Sequence, residues 1–133
     1  MKQEDVLRLI PKNKFDSSTL NELMQISEDD VKIILPELLG WIADFNWPIA
    51  KNISQVLARF PNSLTPLIKN ALSFTETDNM LKYWIIAELL PMLPESTQKA
   101  LLTDIERICC YPTNEEEIEG VCEQAEALIT KFK

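Results

Sequence analysis

The sequence predicts an all-α protein, built as a HEAT/armadillo-like right-handed stack of antiparallel helix pairs, with an irregular helical bundle as the alternative. Three observations predict it. Apolar residues recur at helical spacing along nearly the whole chain, without sustained two-residue alternation. Only two glycines stand against eight prolines, and no Asn-Gly or Asp-Gly pair supplies a hairpin turn. Finally, Trp47-Pro48-Ile49-Ala50-x-x-Ile53-x-x-Val56 returns 37 residues later as Trp84-Ile85-Ile86-Ala87-x-x-Leu90-x-x-Leu93. A fainter copy, Cys122-Glu123-Gln124-Ala125-x-x-Leu128, follows after a further 38. A period near ~40 residues is that of helix-pair repeats.

About eight helices follow from stripes and caps. The first covers residues 3–9 and stops before Pro11. Thr19-x-x-Glu22 or Asp16 opens the second, with Leu20, Leu23, Met24 and Ile26 on its apolar face. Ser27 caps the third, and Glu28, Asp29 and Asp30 sit at the positive end of its dipole. The third helix carries Val31, Ile34, Leu35, Leu38, Leu39 and Ile42, and Pro36 inside it predicts a kink. Asn46 is read as the cap of the fourth, whose stripe is Ile49, Ala50, Ile53, Val56, Leu57 and Phe60.

Pro61-Asn62 turns the chain into a fifth helix bearing Leu64, Leu67, Ile68, Ala71 and Leu72. Glu76-Thr77-Asp78 starts the sixth, with Leu81, Trp84, Ile85, Leu89 and Leu90, and Pro94 ends it. Ala100, Leu101, Ile105 and Ile108 mark the seventh. The capping box Thr113-x-x-Glu116 opens the eighth, with Ile118, Val121, Cys122, Ala125, Leu128 and Ile129.

A length of 133 residues is that of one domain, residues 1–133, able to bury roughly 65–70% of its unfolded surface without metal or disulfide. Thirteen basic against 21 acidic residues leave a net charge of −8. Such a surface repels nucleic-acid phosphates and anionic lipid, and it favours simple solubility or a basic partner. The N-terminus lacks the apolar core of a secretion signal, and no apolar run approaches the ~20 residues of a membrane span. A cytoplasmic protein is expected, with Cys109, Cys110 and Cys122 as buried free thiols.

The combination Ile10-Pro11-Lys12-Asn13-Lys14, Ile34-Leu35-Pro36-Glu37-Leu38-Leu39-x-Trp41, Asn46-Trp47-Pro48-x-Ala50-Lys51 and Lys82-Tyr83-Trp84 resembles the bacterial family numbered 5071 among the domains of unknown function. The likeness runs down to Tyr111-Pro112-Thr113, and Phe15 stands where the family favours histidine. The resemblance implies HEAT-like helices and a bacterial source. It implies no activity.

Catalytic constellations are sparse. Without any histidine, a Ser-His-Asp or Cys-His site cannot be assembled within the chain. The three cysteines lack ligand spacing, so neither metal nor cofactor is expected. Gly40 and Gly120 fall inside predicted helices, form no phosphate loop and are read as close-packing positions. Asp29-Asp30 and Glu115-Glu116-Glu117 sit at helix starts, where the dipole explains them. The basic cluster of Lys12 and Lys14, near Lys2 and Arg8, is outweighed by residues 114–133, with six acids and two bases.

The repeat does bring one group together: Asn46, Trp47, Lys51, Tyr83, Trp84 and Glu88, at the starts of neighbouring second helices. Lys51 and Glu88, again 37 apart, should face one another, and the Lys12–Lys14 loop is a candidate neighbour. The expected function is therefore a non-enzymatic protein- or peptide-binding domain, one form of which is an immunity-type inhibitor of a basic protein. The rival is a small-ligand binder or enzyme using the Trp-Asn-Lys cluster, which a deep pocket with convergent polar groups would favour.

Overall fold

The computed structural model describes residues 2–131. No strand occurs among them, and the helical segments run as α1 (Gln3–Leu7), α2 (Leu20–Leu23), α3 (Glu28–Val31), α4 (Leu35–Gly40), α5 (Ala50–Leu57), α6 (Pro61–Ala71), α7 (Asn79–Trp84), α8 (Glu95–Ala100), α9 (Leu102–Cys110), α10 (Asn114–Ile118) and α11 (Val121–Thr130). Between α7 and α8 the helix continues as a π turn over Ile85–Leu89 and a 3-10 turn over Leu90–Met92. All eight predicted helical runs are present, three of them divided.

Each division has a local cause or a visible geometry. Pro36 interrupts its helix instead of kinking it. The amides of Ile33 and Ile34 bond back to Asp30 and Val31, tightening the chain after α3. A fresh helix then begins at Leu35, and Pro36 lies in its first turn, where a missing N–H leaves nothing unpaired. Gly120 separates α10 from α11 in the left-handed region, at φ 83°. The expectation that both glycines serve close helix packing is therefore corrected. Gly120 is needed for its backbone angle, and a Cβ on Gly40 would meet nothing within 4 Å. The third division falls at Leu101, between α8 and α9, where φ is −99° and ψ 0°.

Two caps differ from expectation. Thr19 sends its hydroxyl to the Leu9 carbonyl at 2.7 Å, tying α2 to the end of the first helical run. Asn46 makes no side-chain cap, because the chain turns through residues 41–49 before α5 starts at Ala50. Ser27, Asp78 and Thr113 do cap their helices.

The core follows the predicted stripes. Val31, Ile34, Leu35, Leu38 and Ile42 meet Ile49, Ile53, Val56 and Leu57, all essentially inaccessible. The core continues through Leu64, Ile68, Ile85, Leu89, Ile105, Ile108, Val121 and Leu128. Three stripe positions fail: Met24 is exposed on the one-turn α2, Ala100 is exposed at the end of α8, and Ile118 is 83% exposed because Gly120 redirects the chain just after it. α4 packs on α5, α6 on α8, α9 on α11, and α11 also on α7 and the π turn that follows it.

Basic side chains stitch these segments at their C-terminal carbonyls. Arg59 donates to Leu23 O and Ile26 O at 3.0 and 3.1 Å. Lys69 reaches Ala100 O at 3.2 Å, and Arg107 reaches Leu72 O at 2.7 Å. A cation there satisfies an acceptor the helix leaves open and complements the negative end of its dipole.

Candidate functional site

The residues that lead from α4 into α5 are shaped by Asp44. Its carboxylate accepts the Asn46 amide at 2.9 Å, and its carbonyl accepts Trp47 N at 3.0 Å. An aspartate that holds the amide two residues on forms a tight local turn. That turn folds Trp47 back against Trp41, which caps the end of α4, with ring centroids 5.5 Å apart and planes at 66°. Phe45, between them in sequence, points the other way and stacks on Trp84 at 5.6 Å and 26°. Tyr83 lies edge-on to Trp84 at 4.9 Å, and its hydroxyl accepts Gln124 Nε2 from α11 at 3.3 Å.

The turn before α5 therefore carries one ring of the Trp41–Trp47 pair at the end of α4 and one of the Phe45–Trp84–Tyr83 group, which reaches α7 and, through Gln124, α11. All three tryptophans are half-buried, neither enclosed core residues nor free surface groups. Trp84 Nε1 is shielded and has no hydrogen-bond partner among the described residues.

The predicted group is brought together only in part. Trp47 pairs with Trp41, whereas Tyr83 and Trp84 group with Phe45 from the same turn. Asn46 is exposed beside them. Lys51 and Glu88 are both exposed, and no ion pair joins them among the described residues. Lys12 and Lys14 have only local contacts among those described. The Lys12 amide donates to Asp16 at 2.9 Å, and Lys14 Nζ lies 5.3 Å from the Phe15 ring.

Beside the Trp41–Trp47 pair an open depression of about 280 Å³ is lined by Glu37, Gly40, Trp41 and Trp47. Sequence alone did not place Glu37 or Gly40 in the candidate site, although Glu37, Gly40 and Trp41 share the i, i+3, i+4 spacing of one helix face. Two other depressions occur. One of about 410 Å³ lies among Asn62, Thr65, Pro66, Ser96, Thr97 and Ala100, and one of about 270 Å³ among Thr103, Glu106, Arg107, Cys110 and Tyr111.

A buried ionic cluster is the other feature that local patterns hid. Lys82 and Glu116 are fully inaccessible and 2.7 Å apart. Arg107 clamps the same carboxylate through both terminal nitrogens, at 2.5 and 2.8 Å. Glu116 also completes the capping box, with Thr113 N at 2.8 Å and Thr113 Oγ1 receiving the Glu116 amide at 3.1 Å. Burial alone would raise the Glu116 pKa, but the bonds from Arg107, Lys82 and Thr113 outweigh it and hold the value down at about 2. One signal was legible. Lys82 begins the series Lys82, Ile85, Ile86, Leu89, Leu90, which is a buried stripe with a charge at its head.

The cysteines are free, but not buried as expected: Cys110 is exposed, while Cys109 and Cys122 are half-buried. Burial, and then the neighbouring Cys110 for Cys109 and Glu126 for Cys122, pushes both thiols above their ordinary pKa. No group of three or more Cys, Asp or Glu side chains is placed to hold a metal among the described residues. No helix there is long and apolar enough to cross a membrane.

The model of a domain of unknown function, DUF5071, matches residues 9–129. The chain belongs to the DUF5071 family. The match spans the Phe45–Trp84–Tyr83 group, the Trp41–Trp47 depression and the Lys82–Glu116–Arg107 cluster, so all three lie inside the DUF5071 domain. A comparison with curated proteins finds no match.

Proposed function

We propose that this DUF5071 domain is a non-enzymatic module that binds a protein or peptide in the bacterial cytoplasm, on the face around Asn46, Trp47, Lys51, Tyr83, Trp84 and Glu88. The observation that carries this reading is a pair of half-buried aromatic groups, Trp41–Trp47 and Phe45–Trp84–Tyr83, which share the turn before α5. Half-buried tryptophans and tyrosines on rigid elements are the usual anchors of an interface. The depressions are open, and the one at the Trp41–Trp47 pair has a single carboxylate in its lining. That suits a surface contact better than a small-molecule site with several convergent polar groups.

In this reading the helix pairs stack as HEAT-like units. Support comes from the packing of α6 on α8 and of α7 on α11, which places first helices together and second helices together. The net charge of −8 favours a basic partner, as for an immunity-type inhibitor of a basic protein.

Cross-linking in the native bacterium, followed by purification of the captured protein, gives the partner for a calorimetric test. Lys51→Ala and Tyr83→Ala should each weaken that complex by about 1 kcal/mol or more, roughly fivefold, while the thermal midpoint of the free domain changes little for Lys51→Ala. Unchanged affinity in both variants would remove this face as the binding surface.

A further inference from the structure

We infer that the depression between Glu37 and the Trp41–Trp47 pair is a receptor for one arginine side chain of a basic protein partner. The inference rests on the protein-binding reading above and names the chemistry of its anchor point. Four features converge there.

Glu37, Gly40 and Trp41 lie on one face of α4 by their i, i+3, i+4 spacing. Glu37 is exposed and has no ion-pair or hydrogen-bond partner among the described residues, so its carboxylate is available. Gly40 leaves the floor open, since a Cβ there would meet nothing within 4 Å. The Asp44 turn holds Trp47 across from Trp41, giving two indole rings at 66° that form adjoining walls.

The lining says which ligand fits. Two indoles attract a cation through their negative faces, and the carboxylate adds an ionic hydrogen bond. A guanidinium is planar, stacks on a ring and presents a fork to a carboxylate, so it matches both walls at once. A lysine ammonium matches only the charge. The volume of about 280 Å³ falls just below the roughly 300–1,000 Å³ of small-molecule pockets, and the site is open on one side. A side chain arriving on a larger partner fits that shape, and the net charge of −8 draws such a partner in.

The test uses the full chain and two peptides, acetylated and amidated, carrying alternating glycine with either arginine or its uncharged isostere citrulline. The indole N–H signals of Trp41, Trp47 and Trp84 are followed by NMR at low ionic strength, which registers weak binding through progressive shifts. With the arginine peptide the Trp41 and Trp47 signals should move while Trp84, stacked under Phe45, stays in place; the citrulline peptide should leave all three unmoved.

Glu37→Gln should reduce the response about three- to tenfold, as expected for losing one exposed charge contact beside aromatic faces. Gly40→Leu should abolish it by filling the floor, and an unchanged far-ultraviolet spectrum shows that the fold is kept. The idea is overturned by no movement at Trp41 and Trp47, by an equal response to citrulline, or by an undiminished response in Glu37→Gln. In those cases Lys51→Ala and Tyr83→Ala still judge the broader binding face on its own.

Discussion

Replacing Glu116 by glutamine should be among the most damaging single substitutions this domain can suffer. Glutamine keeps the shape and can still close the capping box with Thr113, so the perturbation is the loss of one negative charge. That charge faces Lys82 Nζ at 2.7 Å and the Arg107 guanidinium at 2.5 and 2.8 Å, and both Lys82 and Glu116 are wholly inaccessible to water. Without it, two cations remain together with no anion, one of them entirely buried. Breaking a buried pair in this way costs about 3–5 kcal/mol, against a total stability on the order of 5–15 kcal/mol for a domain.

Urea unfolding followed by tryptophan emission should therefore show a midpoint that falls sharply, and thermal unfolding a drop on the order of 10–20 °C. The double variant Lys82→Met, Glu116→Gln should recover much of the loss, because a methionine fills the lysine's space without a charge. A loss below about 1 kcal/mol for Glu116→Gln, or no recovery in the double variant, would refute the claim that the cluster is held by this carboxylate.

Three further outcomes follow. Because the Glu116 pKa is depressed to about 2 in the folded state, its stabilising contribution is fully present above its ordinary value of 4.5 and is lost as the pH falls from there toward 2; denaturant titrations across that range should show a steep decline in the wild type and a shallower one in Glu116→Gln. The same substitution should act with opposite sign at the two glycines: Gly120→Ala, at φ 83°, should cost about 1–2 kcal/mol, whereas Gly40→Ala, with open space around it, should gain about 0.4–1 kcal/mol, both read by urea midpoints. A thiol reagent added to the native protein at neutral pH should modify the exposed Cys110 first, with Cys109 and Cys122 slower because burial raises their pKa and shields them; three thiols reacting at one rate would contradict this.

Much of the fold was legible in the chain itself. Helical class, the positions of eight runs and nearly all of the core follow from local periodicity, since an amphipathic stripe such as Leu35, Leu38, Leu39 and Ile42 must find a cover wherever it lies. The caps at Ser27, Asp78 and Thr113 are equally local, each a side chain bonding an amide three residues on. Of the candidate site, Trp47, Tyr83 and Trp84 could be singled out because the repeat superposes two of them and aromatic residues are conspicuous.

Tertiary structure alone decided the rest. That Lys82 meets Glu116 across 34 positions, and that Arg107 reaches back 35 positions to the Leu72 carbonyl, depends on which helices neighbour one another, which no local pattern encodes. The Glu37–Trp41–Trp47 depression needs the Asp44 turn to fold one indole onto another helix end. Lys51 and Glu88 show the converse: a spacing of 37 residues matched two units on paper, but no ion pair joins the two side chains among the described residues. Periodicity specifies which face of a helix is buried. Where that face points relative to a distant side chain is set by turns, breaks and packing, and those act only once the chain is folded.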